Sequence, residues 1–310
     1  MSIKISLGFS KWILALPALF LLPMTACSSR GSQLPDSIGT HLFTSVELPS
    51  KLSFAGEEVP LDYYDVRESL DREIMSAMYF QSQTIRYIKN APRYFSIIEP
   101  ILKSYGIPED FKYLCVAESG FDIRAVSSVK AAGLWQIMEG TAKECGLEVN
   151  SEVDERFNIE KATQIACRIF KYDYLKFGSW SLVAASYNSG RGFIDRQITQ
   201  QRVKSYYDLQ FGEETTRYVF RILAFKLVME DPEKYGFAIP KDQLYPIIET
   251  KNVEVNRPVT DWATFAIDNG INYKILKMFN PWIRETFLKN PTRKTYTLKI
   301  PVKGFRTIIH

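Results

Sequence analysis

Apolar residues recur along this chain at helical spacing through most of its middle, and at strand spacing only near its end. Val66, Leu70, Ile74 and Met78 fall four apart. Tyr94, Ile97, Ile98, Ile101, Leu102 and Tyr105 alternate by three and one, the stripe of an amphipathic helix. Gly106 stops that helix and Pro108 opens the next, which carries Phe111 to Glu118 and ends near Gly120. Thr141 is placed to cap a short helix that Gly146 stops. Asn158 is placed to cap a longer one, with Ala162, Ile165, Ala166 and Ile169 on one face and Gly178 at its end. Trp180 to Tyr187 and Glu214 to Met229 read as further helices, the second with Tyr218, Ile222, Phe225 and Met229 on one side. After Pro240 the pattern changes. Val253 and Val255 alternate with polar residues, two short helices follow around Trp262–Ile267 and Tyr273–Phe279, and Tyr296–Pro301 alternates as a closing strand. The strand-helix-helix-strand order marks a small second domain.

Before about residue 60 this periodicity is missing. Lys4 and Lys11 precede the apolar stretch Trp12–Leu22, which Pro17 breaks and which is too short for a comfortable span of about 20 residues. It ends in Met24-Thr25-Ala26-Cys27, which resembles a bacterial lipobox. Residues 1–26 are therefore expected to be a lipoprotein signal peptide, with Cys27 lipidated as the mature N-terminus. Residues 27–60, rich in Ser, Gly and Pro, read as a flexible tether. Ser28 after the cysteine points to outer-membrane sorting, with the protein facing the periplasm.

Composition narrows the chemistry by exclusion. The chain has 310 residues, room for about two domains, and its 46% hydrophobic content suffices for a sizeable core. A net charge of +4, with no basic stripe interleaved with aromatics, gives no reason to expect nucleic acid. Beyond Cys27 only Cys115, Cys145 and Cys167 remain, an odd number without zinc-ligand spacing. The two histidines are His41 and His310. A Ser-His-Asp triad, a Cys-His pair and a His-based metal site are disfavoured, so any acid/base group should be a carboxylate.

One carboxylate stands out. Glu118 lies in the apolar run Phe111–Phe121 and shares a helical face with Leu114, Cys115 and Phe121. A carboxylate there must be paired with a cation or held protonated with a raised pKa. The first would make it a structural ion pair; the second would suit proton donation to a sugar bond.

Five segments then fall in register: Glu118-Ser119-Gly120, Ser127, Ala132–Met138, Ala185–Gly190 and Glu214–Val219. In order and spacing they resemble the catalytic (SLT) domain of the lytic transglycosylase family, nearest its membrane-bound type, over about residues 92–230. The resemblance implies a mainly α, lysozyme-like catalytic domain of the α+β superfamily at 106–239, preceded by an N-terminal helical region at 61–105. It implies cleavage of the MurNAc-GlcNAc bond of peptidoglycan with a 1,6-anhydro-MurNAc end, Glu118 acting as acid and then base. It also implies that Ser127, Gln136, Met138, Tyr187, Asn188 and Glu214 bind substrate, that glycan strands are the partner, and that no cofactor or metal is used. A hydrolytic muramidase of goose-lysozyme type and a non-catalytic wall-binding lipoprotein are the alternatives. Lys130 and Glu139 depart from the family pattern, where glycine and proline are usual. Residues 245–310 resemble a degenerate βααβ LysM module without its usual Gly-Asp-Thr opening, so they could bind glycan or serve only as an appendage.

Overall fold

The computed structural model describes residues 45–306. The expected signal peptide, Cys27 and the tether up to residue 44 lie outside the described residues, as do residues 307–310. Among the described residues, no helix is long and apolar enough to cross a membrane.

A short antiparallel hairpin, β1 (Ser53–Phe54) and β2 (Glu57–Glu58), leads into two helices, α1 (Tyr64–Tyr79) and α2 (Gln81–Ser104). Residues 53–61, expected to lie in the flexible tether, are instead folded against the helices. Phe54 is fully buried with its ring centroid 5.4 Å from that of Phe111, and Val59 and Leu61 are buried beside it. Glu57 reaches across to the start of a later helix, accepting from the Ser179 hydroxyl at 3.0 Å and the Ser181 backbone N–H at 3.2 Å. A carboxylate at a helix N-terminus meets unpaired N–H groups and the positive end of the dipole. Strands of two residues have no period, which is why this segment reads as featureless in sequence.

The next helices are α3 (Lys112–Ser119), α4 (Glu139–Glu144), α5 (Ile159–Phe177), α6 (Trp180–Ser189), α7 (Arg191–Gln201) and α8 (Glu213–Glu230). Asn158 caps α5 as expected, its side chain accepting from the Lys161 N–H at 3.0 Å. Thr141 does not cap α4. Met138, three residues earlier, holds the cap position, and the helix begins at Glu139. Helix α7 had no visible stripe because Ile194 is the residue it buries. Helix α8 packs against α1, α3 and α6 and buries Tyr218, Val219, Ile222 and Leu223, so it is the axis of the helical core.

The C-terminal unit is β3 (Thr250–Val255), α9 (Trp262–Asp268), α10 (Tyr273–Phe279) and β4 (Tyr296–Pro301). Its strands pair antiparallel in the register Thr250↔Pro301 to Val255↔Tyr296. Trp262, Leu276, Leu298 and Ile300 form its core, but Ala132, Val153 and Phe157 of the helical unit complete it. The Asp154 N–H donates to the Trp282 carbonyl at 2.9 Å and the Arg284 N–H to the Glu152 carbonyl at 2.8 Å. Lys294 adds a charged contact to the buried Glu155 at 3.2 Å. Tyr245, between the units, donates its N–H to the Lys89 carbonyl of α2 at 2.8 Å. The helical and C-terminal segments thus share a core and pack as one compact unit.

Candidate active site

Helix α3 is short, apolar on its buried side (Tyr113, Leu114, Cys115, Val116), and delivers Glu118 in its last turn. Gly120 ends it in the left-handed conformation at φ 56°, and a Cβ there would lie 2.4 Å from the Tyr87 ring. Only glycine meets both conditions. The chain then leaves the helix, so Phe121 does not share the face of Glu118 as expected. It has φ 64° and stacks on Tyr94 with ring centroids 5.1 Å apart.

Burial of the Glu118 carboxyl lifts its pKa from the ordinary 4.5 to about 7. Three contacts modulate that lift. The Tyr218 hydroxyl of α8 donates a very short hydrogen bond to Glu118 Oε1, which favours the ionised form. The Arg221 guanidinium lowers the pKa further, and the Glu214 carboxylate raises it. Burial prevails over the hydrogen bond and the cation. The phenols of Tyr187 and Tyr218 and the thiol of Cys115 are pushed well above their usual values, first by burial and then by the Glu118 charge, so they stay protonated. Glu118 borders a cavity of about 460 Å³ walled by α1, the start of α2, the end of α3 and α8. A second cavity of about 440 Å³, lined by Tyr94, Phe157 and Trp282, lies between α2 and the C-terminal unit away from this carboxyl.

The expected site residues fall into two groups. Tyr187 of α6 and Glu214 of α8 lie within electrostatic reach of Glu118, and Asn188 follows Tyr187 at the end of α6. The Tyr187 hydroxyl donates to the Trp135 carbonyl at 2.6 Å rather than to the acid. Asn188 accepts from the Thr215 hydroxyl at 3.1 Å, tying α6 to the start of α8. Glu214 is exposed and forms no ion pair with Arg217 or Arg221, which turn instead to Glu73. Ser127, Gln136 and Met138 share the loop between α3 and α4, and the side-chain hydrogen bonds of Ser127 and Gln136 stay within that loop. Ser127 Oγ accepts from the Ala131 N–H at 3.1 Å. Gln136, at φ 48°, donates its amide to the carbonyls of Gly133 (2.8 Å) and Ala125 (3.2 Å). Met138 is 45% exposed. Ala125, which Gln136 holds, borders the same cavity as Glu118, so this loop forms part of its rim. The loop is itself braced from below. Gly133, at φ 77°, presses so closely on the Arg156 carbonyl that a Cβ would come within 2.0 Å of it. The buried Arg156 is held by Asp154 at 2.8 Å and donates to the Lys130 carbonyl at 2.9 Å.

Tyr218 and Arg221 were missed as site residues by sequence reasoning. Tyr218 lies on the buried stripe of α8, where a tyrosine looks like core. Its hydroxyl was the available signal, since a buried phenol needs a partner.

Comparison with known proteins places these features in a family context. The transglycosylase SLT domain family matches residues 95–210, and the soluble lytic transglycosylase C-terminal LysM-like domain matches residues 251–304. The chain is 27% identical over 244 residues to membrane-bound lytic murein transglycosylase D of Escherichia coli (strain K12), covering 76% of this chain and 52% of that protein. It is also 27% identical over 125 residues to a putative tributyltin chloride resistance protein of Alteromonas sp. (strain M-1), covering 39% of this chain and 60% of that one. The chain thus spans about half the length of the curated relatives it matches over most of its own. Among solved structures it is similar to an inactive mutant of lytic transglycosylase Slt from Pseudomonas aeruginosa, at TM-score 0.40 and 20% identity over 58% of this chain and 33% of that chain. The 70 kDa soluble lytic transglycosylase of Escherichia coli aligns at TM-score 0.39 and 21% identity, over 56% of this chain and 31% of that one.

Proposed function

From a chain that carries a transglycosylase SLT domain and a LysM-like C-terminal domain, and that is homologous to membrane-bound lytic murein transglycosylase D, we propose a lytic transglycosylase acting on peptidoglycan. Glu118 is its acid and then its base. The observation that carries this reading is the half-buried Glu118, whose carboxyl is held by desolvation at a pKa of about 7 at the edge of a cavity of about 460 Å³. A carboxylic acid held neutral near pH 7 can protonate a glycosidic oxygen.

The proton leaves Glu118 for the bridging oxygen as the bond to the anomeric carbon breaks. The carboxylate so formed takes the proton of the muramic acid 6-hydroxyl, whose oxygen bonds to that carbon and closes the 1,6-anhydro ring. Tyr218 suits both halves, because its hydroxyl steadies the carboxylate between the two steps while the second carboxylate oxygen stays available. Burial keeps the resting acid protonated, and the Glu214 carboxylate acts in the same direction against Arg221. An ordinary glycosidase mechanism needs a second carboxylate for nucleophile or base work. Asp122, at the same cavity, is the acid through which the hydrolytic alternative would run.

Mass analysis of digested sacculi tests the reading. Anhydro-muramic ends, one water lighter than hydrolytic ends, are expected, and Glu118→Gln should lower turnover at least about 10³-fold while sacculus binding persists. Exclusively reducing muramic ends, or full activity in Glu118→Gln, would overturn it. Membrane attachment through a lipidated Cys27 belongs to the same proposal. Cys27→Ala should move the protein from the membrane fraction to the soluble one without changing its products; continued detergent-dependent pelleting would contradict the anchor.

A further inference from the structure

A buried carboxylate outside the matched SLT segment stands at the same cavity. Glu73, on α1, is 2% exposed. It accepts from Arg217 Nε at 2.6 Å, and Arg221 Nε and Arg72 Nε lie 3.8 and 3.6 Å from its two oxygens. Arg217 and Arg221 sit one turn apart on α8, flanking Tyr218, and both border the cavity with Glu118 and Glu73. Arg221 therefore stands between two carboxyls. One is Glu73, which it pairs with; the other is Glu118, which must keep its proton.

We propose that Glu73 is a positioning residue for the catalytic acid, engaging Arg221 from α1 so that this guanidinium does not close on Glu118 and strip it of its proton. The inference rests on Glu118 being the acid. The physical reason is competition for one cation. A guanidinium in direct contact lowers a carboxyl's pKa by about 1 to 3, which would return Glu118 to the ordinary carboxylate range. Glu73, fully desolvated, cannot be left as a lone buried charge, so it binds the guanidinium pair of α8 strongly.

The groups facing Glu118 set the sign. From α8 come Tyr218, Arg221 and Glu214, from α6 Tyr187, and from its own helix Cys115. The cavity walls add Arg86 and Tyr87 of α2, Arg217 of α8 and Asp122 beyond α3. The two phenols against the acid and the thiol remain neutral, so Arg221 and Glu214 are the charges that act most directly. Removing the Glu73 charge takes away a nearby anion and frees Arg221, and both effects lower the Glu118 pKa. Removing Arg221 has the opposite sign.

The test is the alkaline limb of kcat/KM against pH on purified sacculi. In wild type it should fall as Glu118 loses its proton through about pH 7. Glu73→Gln should move the limb down by about one pH unit, about a tenfold loss at pH 8, and Glu73→Asp should restore part of it. Arg221→Gln should move it up. A structural staple between α1 and α8 would lower the melting temperature in both variants without moving the limb in opposite directions. If the limb stays at its wild-type position in Glu73→Gln, the inference is overturned, whatever Arg221→Gln does. Should Glu73→Gln fail to fold, Glu73→Asp decides, a smaller downward shift supporting the inference and an unmoved limb rejecting it. Products from the same digests separate this from the parent reading. Absence of anhydro ends in wild type rejects the transglycosylase, whereas anhydro ends with unmoved limbs reject only the role of Glu73.

Discussion

At the scale of single residues, the balance of forces on one carboxyl decides what the site can do. Burial raises the Glu118 pKa, and the Tyr218 hydroxyl and Arg221 pull it back to about 7. Each partner predicts a direction. Tyr218→Phe removes a donor that favours the ionised form, so the acid's pKa should rise and the alkaline limb of the pH profile should move up. The same substitution leaves the carboxylate unsupported after proton donation, and kcat should fall by about tenfold or more, as for loss of one donor to a developing anion. An unchanged kcat with an unmoved limb would show that the bond does no chemical work. The stability effect should be small, about 1 kcal/mol, since a phenol loses one hydrogen bond and no packing volume. Glu118 was legible as an acid in an apolar run, but whether it was paired or protonated was not. Its polar partner lies 100 positions away in the chain.

At the scale of elements, the site is an assembly of helix ends and one braced loop. Helix α3 offers its last turn, α6 its last turn with Tyr187 and Asn188, and α8 its first three turns. The α3–α4 loop is held by backbone contacts that side-chain changes readily break. Gly133→Ala would put a methyl group 2.0 Å from the Arg156 carbonyl and strain a φ of 77°. A loss of more than about 2 kcal/mol in unfolding free energy is expected, by overpacking and backbone strain together. Urea unfolding measures it, and a midpoint within error of wild type would show that the loop gives way without penalty. These elements were largely visible beforehand because caps and stripes are local. Helix α7 and the β1–β2 hairpin were not, since neither carries a periodic face: one helix buries Ile194 alone, and the hairpin is anchored by Phe54 and by Glu57 at the start of α6.

At the scale of the whole molecule, the C-terminal unit is part of the scaffold under the site. Its core takes in Ala132 and Phe157, and its Trp282 carbonyl pairs with Asp154, the partner of the arginine that braces the α3–α4 loop. Ending the chain before β3 would expose these apolar residues and leave the Asp154 N–H without its acceptor. The truncated protein should melt well below the full chain and lose activity on sacculi even where binding persists. Unchanged melting and turnover would show that the unit is an appendage. Residues 245–310 were readable as a βααβ module, yet nothing local announced that Val153 and Phe157 belong to its core.

The sequence by itself determined most of the helices, the closing βααβ segment and the apolar setting of Glu118. Those features depend on periodicity, caps and turn residues within a few positions of one another. The tertiary structure decided which polar groups meet: the Tyr218 hydroxyl and Glu118, Glu73 and the guanidiniums of Arg217 and Arg221, Glu155 and Lys294. Coulomb energy and hydrogen bonding depend on distance in space. Arg217 bonds Glu73 from 144 positions away, and no pattern along the chain encodes that approach.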